Sequence, residues 1–171
     1  LAIAGKRIAV IGSGATAVTL VPALAEQGAQ VTMVQRSPSY IVAHPSQDAL
    51  ADRLFRWLPV AAAGRLARWK NVAMGLAAFQ FSRAWPKRMR AFILKGTRAA
   101  LPDMADVDRH FTPSYDPWDQ RLCLVPDADL FRVLNDGSAT IVTDTIRRFV
   151  PEGLELGSGE RVAADVIVTA T

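Results

Sequence analysis

The side chains and spacing best suited to binding chemistry lie in residues 12–17, which read Gly-Ser-Gly-Ala-Thr-Ala and directly follow the apolar residues 7–11. A glycine-rich turn between an apolar strand and a helix is typical of a dinucleotide-binding site. Gly12 allows the tight bend, Gly14 leaves room for a pyrophosphate, and the small Ala17 lets the helix pack close to the strand. The unpaired amides and the positive end of that helix would face the phosphates.

A second candidate position lies about 20 residues after the turn, where dinucleotide-binding folds often place an acid on the ribose 2'-hydroxyl. This sequence has Gln35 there, at the end of the predicted strand 30–35, followed by Arg36 and Ser37. A guanidinium fork and a hydroxyl suit a 2'-phosphate. One charge-assisted hydrogen bond contributes roughly 1.5 to 3 kcal/mol, or about ten- to a hundredfold in affinity. The pattern favours NADP over NAD; the alternative is that Arg36 is a solvated residue at a strand end.

The elements that must position these residues form a strand–helix–strand unit. We predict strands near residues 6–11 and 30–35 and a helix near residues 15–27, which Gly28 ends. Such units are right-handed almost without exception, so the glycine turn should lie at the carboxyl edge of a parallel sheet.

The rest of the chain adds further predicted elements around this unit. A short helix near residues 127–134 has Asp127 as a candidate N-cap, and a strand follows near 139–142. A small antiparallel meander is expected at 146–163, and the final strand near 165–169 returns to the parallel sheet. The expected fold class is α/β: a Rossmann-like, three-layer nucleotide-binding domain with a parallel sheet, a small antiparallel β-meander and a helical insertion.

The helical insertion, at about residues 46–102, concentrates the positive charge of the chain. Its two acids are Asp48 and Asp52, and it has eleven Lys and Arg residues, so it carries +9 in a chain of net charge +4. A basic amphipathic surface indicates contact with an anionic membrane or a polyanion, or an electrostatic field that attracts an anionic cofactor. The alternative is a solvated basic face. The uncharged run 71–82 is too short to span a bilayer, which needs about 20 apolar residues, and no motif supports nucleic-acid binding.

Bulk properties limit the remaining function classes. The chain has 171 residues, half of them hydrophobic, which suits one domain with a sizeable core. The single Cys123 excludes an internal disulfide and is expected to be a buried thiol. We expect the four tryptophans to be buried in the core and interfaces, and we predict no metal site. We expect a cytoplasmic protein that could also contact a membrane surface through the helical insertion. Both ends resemble cuts, so we expect a fragment of a longer polypeptide.

Four motifs in order resemble one family: the NADPH-binding domain of FAD-dependent monooxygenases of the Baeyer–Villiger type, within the flavin-containing monooxygenase superfamily, and in particular its EthA-like branch. The motifs are Gly-Lys-Arg at 5–7 leading into residues 10–17, Val-Gln-Arg-Ser-Pro at 34–38, Tyr-Asp-Pro-Trp-Asp-Gln-Arg at 115–121, and Ile-Val-Thr-Ala-Thr at 167–171. The resemblance covers essentially the whole chain, so we expect residues 1–171 to form one NADPH-binding domain.

The resemblance implies that NADPH reduces FAD, which carries dioxygen as a C4a-peroxide and passes one oxygen atom to a ketone or a soft sulfur or nitrogen centre. It implies that Arg121 is the catalytic residue, which stabilises the peroxide anion and contacts the nicotinamide; Asp119 is expected to orient it. Gln120 replaces a lysine that related enzymes often place against the 2'-phosphate. The implied cofactor contacts are Gly12, Ser13, Gly14, Ala15, Thr16, Arg36, Ser37 and Gln120.

The family's FAD fingerprint and the signature upstream of residue 5 are absent from this sequence. We therefore expect FAD to be held by a further domain of the same longer chain, and the 171 residues alone to be inactive; a small organic molecule is the expected substrate. Two alternatives stay open. A stand-alone NADP-dependent short-chain reductase needs a Tyr with a Lys four residues later, but Tyr40 and Tyr115 lack one. A non-catalytic module could instead dock through its basic helical insertion.

Overall fold

The computed structural model describes residues 2–171, which form nine strands and six helices. The strands are β1 (Arg7–Ile11), β2 (Gln30–Gln35), β3 (Tyr40–His44), β4 (Leu122–Pro126), β5 (Ala139–Thr143), β6 (Ile146–Val150), β7 (Gly153–Leu156), β8 (Arg161–Ala163) and β9 (Val166–Thr169). The helices are α1 (Ala15–Glu26), α2 (Ala49–Trp57), α3 (Val60–Ala84), α4 (Pro86–Ala100), α5 (Val107–Phe111) and α6 (Asp129–Asn135).

A four-stranded parallel sheet positions the glycine turn. Its strand order is β5-β2-β1-β9, with Ile8 opposite both Val31 and Val166. Because β1 is central and covered on both faces, its residues form a continuous apolar run, and Ala9 and Val10 are fully buried. The crossover from β1 to β2 through α1 fixes the turn at the carboxyl edge of the sheet.

The sheet is the middle of three layers. On one face α1 packs Val18 and Val21 into a core shared with α6. On the other face the antiparallel meander β6-β7-β8 covers the sheet with Leu154 and Leu156, which pack against Ala9. The predicted α/β class, the three layers and the small meander are therefore confirmed.

A separate two-stranded parallel sheet, formed by β3 and β4, was not predicted from the sequence. Tyr40 pairs with Leu122 and Ile41 with Cys123, across a separation of more than 80 residues that contains α2 to α5. Cys123 is buried, as expected, and the burial raises the pKa of its thiol. Because β4 begins at Leu122, this pairing brings the preceding residue, Arg121, close to the glycine turn.

The helices α2, α3 and α4 occupy residues 49–100, and their large apolar side chains are mostly exposed. The prediction that tryptophans lie in the core is wrong: Trp57 is 86% exposed, Trp69 69%, Trp85 50% and Trp118 45%. Trp118 packs against Phe79 and Trp85 against Phe81, with ring centroids 5.9 Å and 5.1 Å apart, so these two are partly covered. None of the helices in residues 2–171 is both long and apolar enough to cross a membrane.

The predicted N-cap role of Asp127 is also wrong. The helix α6 begins at Asp129, and Asp127 has a left-handed backbone with φ of +46°. Its carboxylate instead accepts hydrogen bonds from the Ser46 amide at 2.9 Å and the Ser46 hydroxyl at 2.5 Å, and the Ser46 hydroxyl is the main reason that the pKa of Asp127 is lowered. Asp127 therefore fastens the start of the helical region to the end of β4.

Acid should weaken the parallel sheet through the ion pair between Arg7 and Asp165. The guanidinium Nη2 lies 2.6 Å from Asp165 Oδ1, and the Arg7 amide donates to Oδ2 at 2.9 Å. The hydrogen bond from the Arg7 side chain is the main cause that lowers the pKa of Asp165 from 3.8 to about 2. Because the folded-state pKa is depressed, the stability that this carboxylate contributes is complete above about pH 4 and is lost as the pH falls towards 2.

Urea unfolding at several pH values checks this expectation. Asp165→Asn should be less stable than the native chain at neutral pH, and the difference should shrink steadily between about pH 4 and pH 2 as the carboxylate is protonated. The matched control is Asp103→Asn, which changes an exposed carboxylate without an ion pair among residues 2–171. A stability difference for Asp165→Asn that stays constant from pH 7 to pH 2 would contradict the assignment.

Candidate functional site

A cleft of about 570 Å³ lies at the carboxyl ends of β1, β2 and β5, a volume typical of small-molecule sites. Ligands of open α/β sheets bind outside the carboxyl ends of the strands, so the cleft lies where such a site is expected. The residues that line it are Ile11, Gly12, Ser13, Val34, Arg36, Ser37, Arg121, Asp144, Thr145, Ile146 and Thr171.

Gly12 is the tightest point of the turn. Its φ of +133° is a conformation that side chains rarely adopt, and a Cβ atom there would lie 2.3 Å from the carbonyl oxygen of Ala170. The Gly12 amide donates a hydrogen bond to the Val34 carbonyl oxygen at 2.9 Å, and the Ala170 amide donates one to the Ile11 carbonyl oxygen at 2.8 Å. The turn is therefore held between the ends of β2 and β9, and only glycine fits at this position.

Gly14 immediately precedes α1 and leaves open space next to the N-terminus of that helix. It is the N-cap residue, and no side chain of residues 2–171 caps the helix. A Cβ atom on Gly14 would approach only the Nη1 atom of Arg121, at 3.8 Å. The unpaired amides of the first helical turn and this guanidinium therefore face the same space, which is an arrangement suited to an anion.

Ser13 lines the cleft, and its side chain also has partners within the protein. Its hydroxyl is buried and lies 3.0 Å from the Ser39 hydroxyl and 3.3 Å from the Ser37 carbonyl oxygen. The side chain thus joins the glycine turn to the segment after β2, and only its backbone is free to meet a phosphate. Four of the predicted contacts do not line the cleft: the half-buried Gly14 and the exposed Ala15, Thr16 and Gln120.

Arg36 and Ser37 directly follow β2 and are exposed in the cleft. The preceding Gln35 is buried, with its Nε2 donating to the His110 carbonyl oxygen at 2.7 Å and to Thr143 Oγ1 at 2.8 Å. Sequence reasoning treated Gln35 only as the residue in place of an acid. The structure shows that it instead ties the end of β2 to α5 and β5, so Arg36 projects from a fixed strand end.

Gln35→Leu should destabilise the protein by about 1 to 3 kcal/mol, because a buried carbonyl and hydroxyl lose their donor. We also expect weaker NADP binding, since the strand end that carries Arg36 loosens. Urea unfolding and calorimetric titration measure the two effects. Gln27→Ala is the matched control, because Gln27 is exposed and its side chain bonds only to its own helix. Native stability for Gln35→Leu would contradict this role.

Arg121 carries a guanidinium with no carboxylate of residues 2–171 within 4.0 Å. The prediction that Asp119 orients it is wrong, since the Asp119 carboxylate pairs with Arg83 Nη1 at 2.5 Å. The backbone of Arg121 is fixed instead, because its carbonyl oxygen accepts a hydrogen bond from the Tyr115 hydroxyl at 2.9 Å. The positive charge beside Gly14 is therefore free to meet a ligand.

Asp144 is a cleft residue that sequence reasoning missed. It follows β5 directly, at the same sheet edge as Arg36, and that position was the available signal. The Thr145 amide donates to its Oδ1 at 2.6 Å and the Ser158 amide to its Oδ2 at 3.0 Å, and hydrogen bonds from Ser158 are the main reason that its pKa is lowered. The cleft thus has two cationic side chains and one carboxylate, an arrangement that suits an extended ligand with separate anionic and hydroxyl groups.

Comparison with curated proteins finds close relatives over almost the whole chain. The chain is 54% identical over 167 residues to the FAD-containing monooxygenase EthA of Mycobacterium tuberculosis strain H37Rv, and the match covers 97% of this chain and 34% of that protein. It is 47% identical over 168 residues to the probable FAD-binding monooxygenase AlmA of Acinetobacter baylyi, again covering 34% of the relative. The chain therefore spans about a third of the length of the curated relatives it matches. No protein-family model matches it.

Solved structures with low sequence identity share the fold. An oxidised steroid monooxygenase bound to NADP matches with a TM-score of 0.73 at 20% identity, covering 100% of this chain and 39% of that one. OTEMO in complex with FAD and NADP matches with a TM-score of 0.70 at 18% identity, covering 99% and 38%. The chain is therefore similar, over almost its whole length, to one region of the FAD-containing monooxygenases of the EthA type, the family that its sequence motifs resemble.

Proposed function

We propose that this chain is the NADPH-binding domain of a flavin-dependent monooxygenase, which transfers one oxygen atom from dioxygen to a ketone or to a soft sulfur or nitrogen centre. The observation that carries the proposal is the meeting of Gly12, Arg36 and Arg121 in one cleft at the carboxyl edge of the parallel sheet. The names of the relatives support FAD as the second cofactor, and the NADP-bound neighbours support the nicotinamide cofactor.

The cleft has the groups that NADPH needs. The amides of the first turn of α1 would hold the pyrophosphate, because Gly14 leaves the backbone accessible. Gly12 would contribute the tight bend, since its own amide already donates to the Val34 carbonyl oxygen. Arg36 and Ser37 would hold the 2'-phosphate by a charge-assisted fork and a hydroxyl. Ala15, Thr16 and Gln120 remain proposed secondary contacts at the exposed rim. Asp144 is available to accept from a ribose hydroxyl, so the residues present fit the cofactor.

Arg121 is proposed as the catalytic residue. Its guanidinium cannot be deprotonated in a protein, so it keeps a fixed positive charge where negative charge develops during oxygen transfer. The same charge beside Gly14 would orient the cofactor. FAD, when bound by the other part of the enzyme, supplies the oxygen-activating chemistry. We propose that this chain contributes the positioning of NADPH and the charge of Arg121, and that the 171 residues alone do not oxygenate a substrate.

The stand-alone short-chain reductase is disfavoured by both tyrosines of the chain. Tyr40 is fully buried, and its hydroxyl donates to the Tyr115 carbonyl oxygen at 2.7 Å. The Tyr115 hydroxyl donates to the Arg121 carbonyl oxygen. A reductase of that class needs a tyrosine hydroxyl that is free to give a proton to substrate, so these contacts favour structural roles for both.

Steady-state kinetics of the whole flavoprotein test the proposal. NADPH oxidation should be coupled to the conversion of a thioether to its sulfoxide or of a ketone to its ester. Arg36→Ala should raise KM for NADPH by roughly ten- to a hundredfold with little change in kcat, because a phosphate contact contributes equally to ground and transition states. Lys95→Ala, which removes an exposed charge outside the cleft, is the control. NADPH oxidation without transfer of oxygen to either substrate class would contradict the proposal.

A further inference from the structure

The middle of α3 is largely apolar and exposed, with contacts to the rest of the chain only near its ends, where Asn71 meets Asp48 and Phe79 packs against Trp118. All ten residues 71–80 are exposed, including Met74 at 62% and Leu76 at 58%. The uncharged run 71–82 spans about 18 Å of helix. A helix that is apolar all round is normally buried in protein or in lipid. This segment therefore requires an apolar environment that residues 2–171 do not supply.

One face of α3 has a regular order of side chains. Trp69, Val72, Leu76 and Phe79 follow one another at intervals of three and four residues, so they form one stripe along the helix. Arg65 lies four residues before this outward stripe and Arg83 four residues after it. The buried Ala63 and Ala67 lie on the opposite face. The stripe therefore lies on the exposed side of α3 between two cationic side chains. At its C-terminal end Phe79 packs against Trp118, with ring centroids 5.9 Å apart, and Arg83 pairs with Asp119.

The neighbouring helices add the same two kinds of side chain. On α2, Trp57 is 86% exposed, and on α4, Phe92 is 72% exposed. Among residues 2–171, eight cations of these helices have no carboxylate within 4.0 Å, so their charge is not neutralised locally. These cations are Arg53, Arg56, Arg65, Arg68, Lys87, Arg88, Arg90 and Lys95.

Charge decides which occupant fits this surface. A second copy would bring a +9 helical region against another, and like charges oppose that contact. An anionic lipid surface attracts the same cations, each contributing about 1 kcal/mol near the headgroups, or roughly fivefold in binding. Exposed tryptophans are typical of membrane interfaces.

We propose that α2, α3 and α4 bind an anionic membrane surface. The helix α3 lies parallel to the bilayer, its outward stripe enters the acyl-chain boundary, and the basic side chains of the three helices contact the phosphates of acidic lipids. Because no helix of residues 2–171 can cross the membrane, the contact is peripheral. The glycine-turn cleft lies outside these helices, so its lining stays free for a dinucleotide.

Flotation with phospholipid vesicles tests the proposal on the native protein. At about 0.1 M salt the protein should bind vesicles that contain about a quarter phosphatidylglycerol, with affinity at least tenfold higher than for pure phosphatidylcholine. Raising the salt to about 0.5 M should weaken the binding. Tryptophan emission should shift to shorter wavelength on binding, and the shift should be smaller for Trp69→Phe.

Three variants separate charge, insertion and misfolding. The double reversal Arg65→Glu with Arg68→Glu, and the single change Leu76→Asp, should each weaken vesicle binding at least tenfold. Phe149→Ala, which removes an exposed apolar side chain from β6, is the matched control and should bind as the native protein does. Unchanged NADP binding in all variants shows that the nucleotide cleft is intact.

Three results would overturn the proposal. They are failure to bind anionic vesicles at low salt, equal binding to neutral and anionic vesicles, and a concentration-dependent dimer in sedimentation that Leu76→Asp abolishes.

Discussion

Gly12→Ala should abolish dinucleotide binding and destabilise the fold. The alanine Cβ would lie 2.3 Å from the Ala170 carbonyl oxygen, so the end of β9 would have to move. The backbone φ of +133° adds strain of about 1 to 3 kcal/mol for a residue with a side chain. Because the same backbone both joins the strands and faces the ligand, stability and binding should fall together. Urea unfolding and calorimetric titration with NADP measure the two losses.

Gly14→Ala is the matched comparison for this prediction. Its backbone is in an ordinary extended conformation, with φ of −81°, and an added Cβ meets only Arg121 Nη1 at 3.8 Å. Stability should therefore change by less than about 1 kcal/mol, whereas NADP affinity should fall at least tenfold, because the new methyl group occupies the space proposed for the pyrophosphate. Native affinity in Gly14→Ala, or a stable and binding-competent Gly12→Ala, would show that the turn is only structural.

Arg121→Ala should weaken the binding of NADP and NAD by the same factor, roughly tenfold, because its charge is proposed to act on groups that both dinucleotides share. In the whole flavoprotein we expect kcat to fall by about a hundred- to a thousandfold, which is typical of the loss of one group that stabilises developing negative charge. Arg121→Lys should restore part of the binding but less of kcat, since an ammonium cannot reproduce the fixed fork of the guanidinium.

Arg83→Ala is the control for Arg121, since it removes a nearby exposed cation that pairs with Asp119 outside the cleft. Such surface pairs contribute between about 0 and 1 kcal/mol, so binding and kcat should stay near native values. If Arg121→Ala altered only the preference between NADP and NAD, its side chain would have to contact the 2'-phosphate, and the assigned role would be wrong.

Local sequence signals predicted the centre of the fold well. The apolar β1, the glycines after it and Gly28 at the end of α1 are close in sequence, so their spacing alone defines a strand–helix–strand unit. The meander was equally accessible, because turn-forming residues separate three short strands. The pairing of β3 with β4 was not, because it joins residues more than 80 apart and one strand follows a proline-rich segment.

The candidate site also has features that local sequence predicts and features that depend on distant parts of the chain. Glycine positions and the residues after β2 follow from backbone geometry, and the structure brings Gly12, Arg36 and Arg121 into one cleft. Side-chain partners depend on distant segments, so the buried network of Gln35 and the pairing of Asp119 with Arg83 could not be inferred from the sequence. The exposure of the tryptophans is a third case, since an aromatic composition indicates a contact surface without indicating which molecule supplies the contact.

The central claim is that the glycine-turn cleft binds NADP through the 2'-phosphate, and calorimetric titration of the native chain and of Arg36→Ala with NADP and with NAD tests it most directly. We predict that the native chain binds NADP at least tenfold more tightly than NAD, and that Arg36→Ala removes this preference while leaving NAD binding unchanged. Equal affinity of the native chain for the two dinucleotides, or an NADP preference that survives in Arg36→Ala, would contradict the claim.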